Sequence, residues 1–185
     1  MTKEEILEKT TWDEYQMGTC PIYVPLFEKE ILFIFFQNHK PEPSITDKMF
    51  ECLNDVLTLE KSQIETIKEM LWEECVFAFT VTDYGFEPNE GETDLEANFR
   101  GFEISNKEDA FVKSTIQEIH IAQENDELSG RYAEIKINSA SDNLISIIVK
   151  NEKIIDWDDD GTYLGSFESD EQCAKKQRQK TLSKE

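Results

Sequence analysis

The run Ile31-Leu-Phe-Ile-Phe-Phe36 is apolar at every position and is the longest such stretch in the chain. It falls far short of the ~20 residues that a membrane span needs, and its β-branched and aromatic content favours a strand. A strand apolar on both sides asks for cover on both faces, so the rest of the chain has to supply packing layers around it. The material is present: 38% of the 185 residues are hydrophobic and 12 are Phe, too apolar for a disordered polyanion. The N-terminal segment Met1–Lys9 lacks a secretory apolar core, and Cys20, Cys52, Cys75 and Cys173 are scattered without a Cys-x-x-Cys. The reading is a cytoplasmic, non-membrane protein with reduced and mostly buried thiols.

Pro21-Ile-Tyr-Val-Pro-Leu-Phe27 precedes the apolar run, with Glu28-Lys29-Glu30 between them. That is a hairpin signal whose first strand is kept to an edge by its prolines. Thr2 and Glu5 have capping-box spacing for a short helix. Gln37–Ser44 holds two prolines and reads as a loop. Thr46 sits as an N-cap between Ile45 and Phe50, and Met49, Phe50, Leu53, Val56 and Leu57 form one apolar helical stripe. Ser62-Gln-Ile-Glu65 has the spacing of another capping box, opening a helix with Ile64, Ile67, Leu71 and Cys75 on one face. From Thr82 the periodicity dissolves. It returns as Thr115–Ala122, Tyr132–Asn138, Leu144–Val149 and Lys153–Ile155, separated by turn signals. The expected fold class is α+β: an N-terminal β-hairpin, a helical hairpin, then an antiparallel β-meander packed as one sheet-and-helix layer pair. Residues 1–173 read as one acidic domain, with 82–112 an acidic, loop-rich connection and 174–185 a basic, disordered tail.

Charge narrows the function classes. Acids outnumber cations 40 to 19, a net of −21. The last 12 residues carry +4, so residues 1–173 carry −25, and Val81–Leu128 alone carries −10. A surface this acidic excludes a basic nucleic-acid binder and suits a basic protein partner, whose approach it would steer. The densest stretch places Glu87, Glu90, Glu92, Asp94, Glu96 and Glu103 between Phe86 and Phe102, the charges and anchors of a contact surface.

Asp156-Trp-Asp-Asp-Asp-Gly161 is the sharpest local motif. Asp156, Asp158 and Asp160 occupy positions 1, 3 and 5 of an EF-hand loop, with Gly161 at position 6. Position 12 is Phe167 rather than the bidentate Glu, and Glu168 comes one residue late. The stretch reads first as a hairpin turn with exposed acids, and second as a weak calcium site. Trp157, beside these acids, is either an exposed anchor for a partner or a cover for the end of the meander. Trp72 adjoins an apolar stripe and reads as core. Nucleophilic catalysis has little to work with: His39 falls in the Pro-containing loop, His120 lies mid-strand, and no phosphate loop or nucleophile elbow is present. The expectation is a non-catalytic binding protein with no resident cofactor.

Pro25-Leu-Phe27, the Phe-rich strand, a helix pair and a late meander ending Ile147-Ile-Val-Lys-Asn-Glu-Lys-Ile-Ile155 resemble a group of small acidic bacterial domains of unknown activity. Members of that group sit near polymorphic and contact-dependent toxin systems, where such proteins act as immunity factors. The resemblance spans roughly Ile22 to Ile155, by element order. It implies an immunity protein that neutralises a basic, nuclease-type toxin by direct binding; a cytosolic adaptor or regulatory domain is the alternative. The group's Trp-Asp-x-Glu-His-Gly-like run corresponds here to Asn138–Leu144, which lacks Trp, Glu and His, so no functional residue is carried over.

Overall fold

A computed structural model describes residues 1–37 and 42–183, so His39 lies outside the described residues. Seven strands form one sheet in sequential order: β1 (Thr11–Trp12), β2 (Met17–Val24), β3 (Lys29–Phe36), β4 (Thr115–Ala122), β5 (Tyr132–Asn138), β6 (Leu144–Lys150) and β7 (Lys153–Asp159). Every junction is antiparallel except β3–β4, which is parallel. A parallel pair needs a long crossover, and four helices provide it. They are α2 (Asp47–Leu57), α3 (Gln63–Val81), α4 (Asp94–Gly101) and α5 (Lys107–Lys113). A short helix, α1 (Lys3–Lys9), precedes the sheet, and α6 (Ser166–Ser169) and α7 (Cys173–Leu182) follow it. The α+β architecture expected from the sequence is the one observed.

The register aligns Cys20, Phe33, Ile119, Ile135, Ile147 and Trp157 in one row across the sheet, all of them buried. Met49, Leu53 and Val56 of α2 and Ile67, Leu71 and Cys75 of α3 join the same core. Burying each Phe or Leu here contributes on the order of 1.5–3 kcal/mol. The opposite face is different. At its β5–β7 end Tyr132 and Ile148 lie under Leu164, Phe167 and Ala174. Across β2 and β3 it meets solvent, with Tyr23 55% and Leu32 37% exposed. The expectation that the Phe-rich strand is covered on both faces is therefore corrected: Ile34 is buried on that side, yet Leu32 is exposed.

Local chemistry explains which helix ends were legible. Thr46 accepts from the Met49 N–H at 3.1 Å, and Thr2 and Glu5 form the expected reciprocal box. Ser62 does not cap α3, because its own backbone is already helical (φ −59°) and its hydroxyl turns back to Glu60. β2 is not an edge, since β1 pairs with its outer side through Thr11 and Trp12. The connection 82–112 is less irregular than expected: it contains α4 and the start of α5. The reading of 174–185 as a disordered tail is also corrected, because Cys173–Leu182 is helical and Arg178 on it is buried. Among the described residues, no helix is long and apolar enough to cross a membrane.

Candidate functional site

The acidic connection is a constructed arm rather than a solvated insert. Thr93 and Glu96 form a capping box at the start of α4. One turn before it, Asn89 and Glu92 close a loop through Gly91, whose φ of +85° favours glycine. Arg100 then reaches back from α4. Its Nε and Nη2 each donate to the Glu92 carboxylate at 2.9 Å, and Nη2 also donates to the Glu87 carbonyl at 2.9 Å. The guanidinium beside Glu92 pulls that carboxyl down to about 2. Beneath the loop runs a chain of aromatic contacts. Phe79 meets Tyr84, Phe99 and Phe102 at 5.5, 4.9 and 4.9 Å between ring centroids, and Trp72 stacks on Phe99 at 4.8 Å. Phe86 closes the row on Phe102 and lies flat against Gly101, where any Cβ would overlap its ring.

The sequence-predicted contact residues thus divide. Glu87, Glu90 and Asp94 are exposed on the same arm as Phe86, which stays 38% exposed. Glu92 and Glu96 are held by Arg100 and Thr93, and Glu103, at φ 55°, accepts from Lys113. Phe102 packs into the aromatic row rather than standing out as an anchor. Trp72 is half-buried against the core, as its stack on Phe99 requires.

Trp157 lies apart from this surface and is only 2% exposed, so the exposed-anchor reading is corrected. The Arg178 guanidinium covers its ring at 3.8 Å from the centroid. The Asp156–Gly161 stretch is no hairpin turn: residues 156–159 are the second half of β7, and only Asp160 and Gly161 (φ +85°) form a turn, which leads out of the sheet. Its three candidate ligands are engaged separately. Asp156 is buried and takes Arg178 at 2.7 Å and the Lys175 N–H at 2.9 Å. Asp158 accepts from Thr162, and Asp160 from Lys136 at 2.8 Å. Positions two apart on β7 share a face, but extended backbone strings them out roughly 6.6 Å apart instead of folding them around one ion as a loop does. Among the described residues no group of three or more His, Cys, Asp or Glu is placed to hold a metal ion. Glu168, late for the EF-hand pattern, instead accepts from Ser129 and from the Gly130 N–H.

Sequence reasoning missed the polar cluster on β4–β6, on the sheet face opposite the main core. Cross-strand register brings Glu118, Lys136 and Ser146 into one row, with His120 and Glu134 in the next. Lys136, 3% exposed, donates to Glu134, Ser146 and Asp160 at 2.6, 2.7 and 2.8 Å. Three acceptors thus surround this one nitrogen, and the Ser146 hydroxyl is one of them. His120 contacts Glu118 and packs edge-on against Phe36, a half-buried strand position. The period-2 pattern of β4 and β5 was the available signal; the pairing partner that brings these charges together was not.

Other features are structural in character. The four thiols are free, and burial pushes Cys52 up to about 12 and Cys75 up as well, so neither is an accessible thiolate. A cleft of about 520 Å³ opens between the β2–β3 turn, α3 and α5, walled by Leu26, Phe27, Ile64 and Phe111. On its polar rim Glu28 pairs with Lys61 at 2.7 Å and Ser114 donates to the Ala110 carbonyl at 2.7 Å. No protein-family model matches the chain, and no curated protein or solved structure matches it.

Proposed function

We propose that this chain is a non-catalytic protein-binding module that engages a basic partner, with the acidic arm as its contact surface. The observation that carries the reading is the arm's construction. Arg100 and the aromatic row fix the backbone, while Glu87, Glu90 and Asp94 are left exposed on the same arm as a partly exposed Phe86. A rigid scaffold that presents charge costs less to bind than a floppy one, because its ordering has already occurred on folding. The biological role that fits, and that the resemblance to toxin-associated domains implies, is an immunity protein: the acidic surface would cover the basic cleft of a nuclease-type toxin and compete with nucleic acid.

The test is to co-express the chain with the product of the neighbouring reading frame and measure association kinetics on the purified pair. Electrostatic steering predicts an on-rate that falls about tenfold between low and physiological salt, with a smaller change in off-rate. The triple variant Glu87→Gln, Glu90→Gln, Asp94→Asn should lower the on-rate further. Absence of a complex sinks the immunity reading. A complex whose rates ignore the triple variant moves the contact surface elsewhere.

A further inference from the structure

The chain contains a basic segment already seated on its acidic body. α7 reads Cys-Ala-Lys-Lys-Gln-Arg-Gln-Lys-Thr-Leu, and only Ala174 and Arg178 of it are buried. A ten-residue helix this polar is marginal by itself, and it buries too little apolar surface to be held as the core helices are. What holds it is arginine recognition. Arg178 lays its guanidinium over the Trp157 ring at 3.8 Å, donates to Asp156 at 2.7 Å and donates to the Trp157 carbonyl. Asp156 also accepts the Lys175 N–H at 2.9 Å, so a carboxylate from β7 caps the first turn of α7, where Gln172 makes no cap bond. Lys175 adds a looser pair with Glu73 at 3.6 Å.

The seat would outlast its occupant. Trp157, Phe77, Val76 and Trp72 belong to β7 and α3, and Asp156 and Glu73 supply the charge. A cleft of about 280 Å³ remains between α3 and α7, so the fit of α7 is incomplete. Trp157 Nε1 is buried and has no hydrogen-bond partner among the described residues. An aromatic plate, a carboxylate and a carbonyl acceptor converging on one guanidinium form a reader for arginine in particular, since lysine cannot make the stacked, forked contact. We propose that this seat is the recognition site for an arginine-bearing basic segment of a partner protein, and that α7 is its intramolecular stand-in, displaced when the partner binds. The proposal deepens the basic-partner reading, and its test is independent of the arm.

The probe is a labelled synthetic peptide copying Glu171–Ser183, titrated against the full chain by fluorescence anisotropy. A tethered α7 competes at an effective concentration in the millimolar range, so the wild-type chain should bind the peptide weakly. Arg178→Ala in the full chain empties the seat and should tighten peptide binding by about tenfold or more. A peptide whose arginine is replaced by lysine should lose that gain. A folded Arg178→Ala chain that binds no better than wild type overturns the proposal. Should that variant unfold, hydrogen exchange on the wild-type chain decides: α7 amides should exchange well before those of β5 and β6, and faster still with excess peptide. Exchange of α7 only through global unfolding refutes displacement. A dimer with α7 exchanged between copies assigns the seat to a second copy and also overturns it. The arm triple variant should bind the peptide normally, so failure of the arm and failure of the seat read out separately.

Discussion

Two glutamates show how the same side chain acquires opposite behaviour from its surroundings. Glu74, 1% exposed on α3, accepts from Ser141 at 2.7 Å and Asn143 at 2.9 Å, while its second oxygen has no partner among the described residues. Burial raises its pKa, with the Ser141 and Asn143 donors opposing. Its contribution to stability is therefore full below the ordinary carboxyl value of about 4.3 and is lost as pH rises through the raised folded value. Glu74→Gln, neutral at every pH, should gain on wild type in urea midpoint as pH rises above the ordinary carboxyl range; parallel curves would refute the raised folded value. Glu168 runs the other way: the Ser129 hydroxyl, then the Gly130 and Ser129 N–H groups, hold it at about 2. That stabilisation is present above about 4.3 and fades as pH falls towards 2, so Glu168→Gln should flatten the acid limb of the stability curve. Asp55, 4% exposed, is gripped by Arg131 at 2.7 and 2.9 Å. Arg131→Ala strands that charge and should cost about 3 kcal/mol in chemical denaturation, with much of the loss recovered by adding Asp55→Asn.

The elements differ in how much of themselves they announce. α2 was legible because an apolar stripe and a Thr cap are both local. α4 was missed, although Thr93-Asp-Leu-Glu96 repeats the spacing of the N-terminal Thr2-Lys-Glu-Glu5 box, because its apolar positions are sparse and one buried position is Asn98, donating to the Phe79 carbonyl at 3.0 Å. α7 was missed for a stronger reason. Its buried anchor is an arginine, and no hydrophobic period can mark a helix docked by cation–π contact and a borrowed cap. The arm belongs to this scale too. Arg100→Ala should release the loop, raising amide exchange at Asn89–Thr93 by about tenfold while the amides of β5 and β6 keep their protection. Uniform loss of protection would show the arm to be integral to the fold. Gly101→Ala should expel Phe86 through its Cβ and leave α4 otherwise helical, which the Phe86 ring resonances would report.

At the level of the whole molecule, net charge opposes compaction. A body of −25 repels itself, and the basic helix at its end relieves only part of that. Neutralising Glu87, Glu90 and Asp94 should leave thermal stability unchanged or slightly raised, since all three are exposed and among the described residues no cation pairs with them. A clear fall in melting temperature would mean that the arm's acids hold structure rather than present charge.

Sequence alone determined what depends on neighbours along the chain. The alternating runs of β4 to β7 and their turns are of this kind, with Asn151 and Glu152 both at positive φ in the tight β6–β7 connection. The cap on α2 and the buried cysteines belong with them. Tertiary structure decided everything that depends on what comes to lie opposite. It set the parallel β3–β4 junction, left one face of the apolar run Ile31–Phe36 partly open, and gave each of the 40 acids its particular surroundings. Asp156 looks in sequence like the first ligand of a cation loop. It becomes a helix cap and an arginine's counter-ion because α7, whose Lys175 lies 19 residues on, folds back across the edge of the sheet. Burial and pairing are set by contacts across space, and periodicity along one segment carries no record of them.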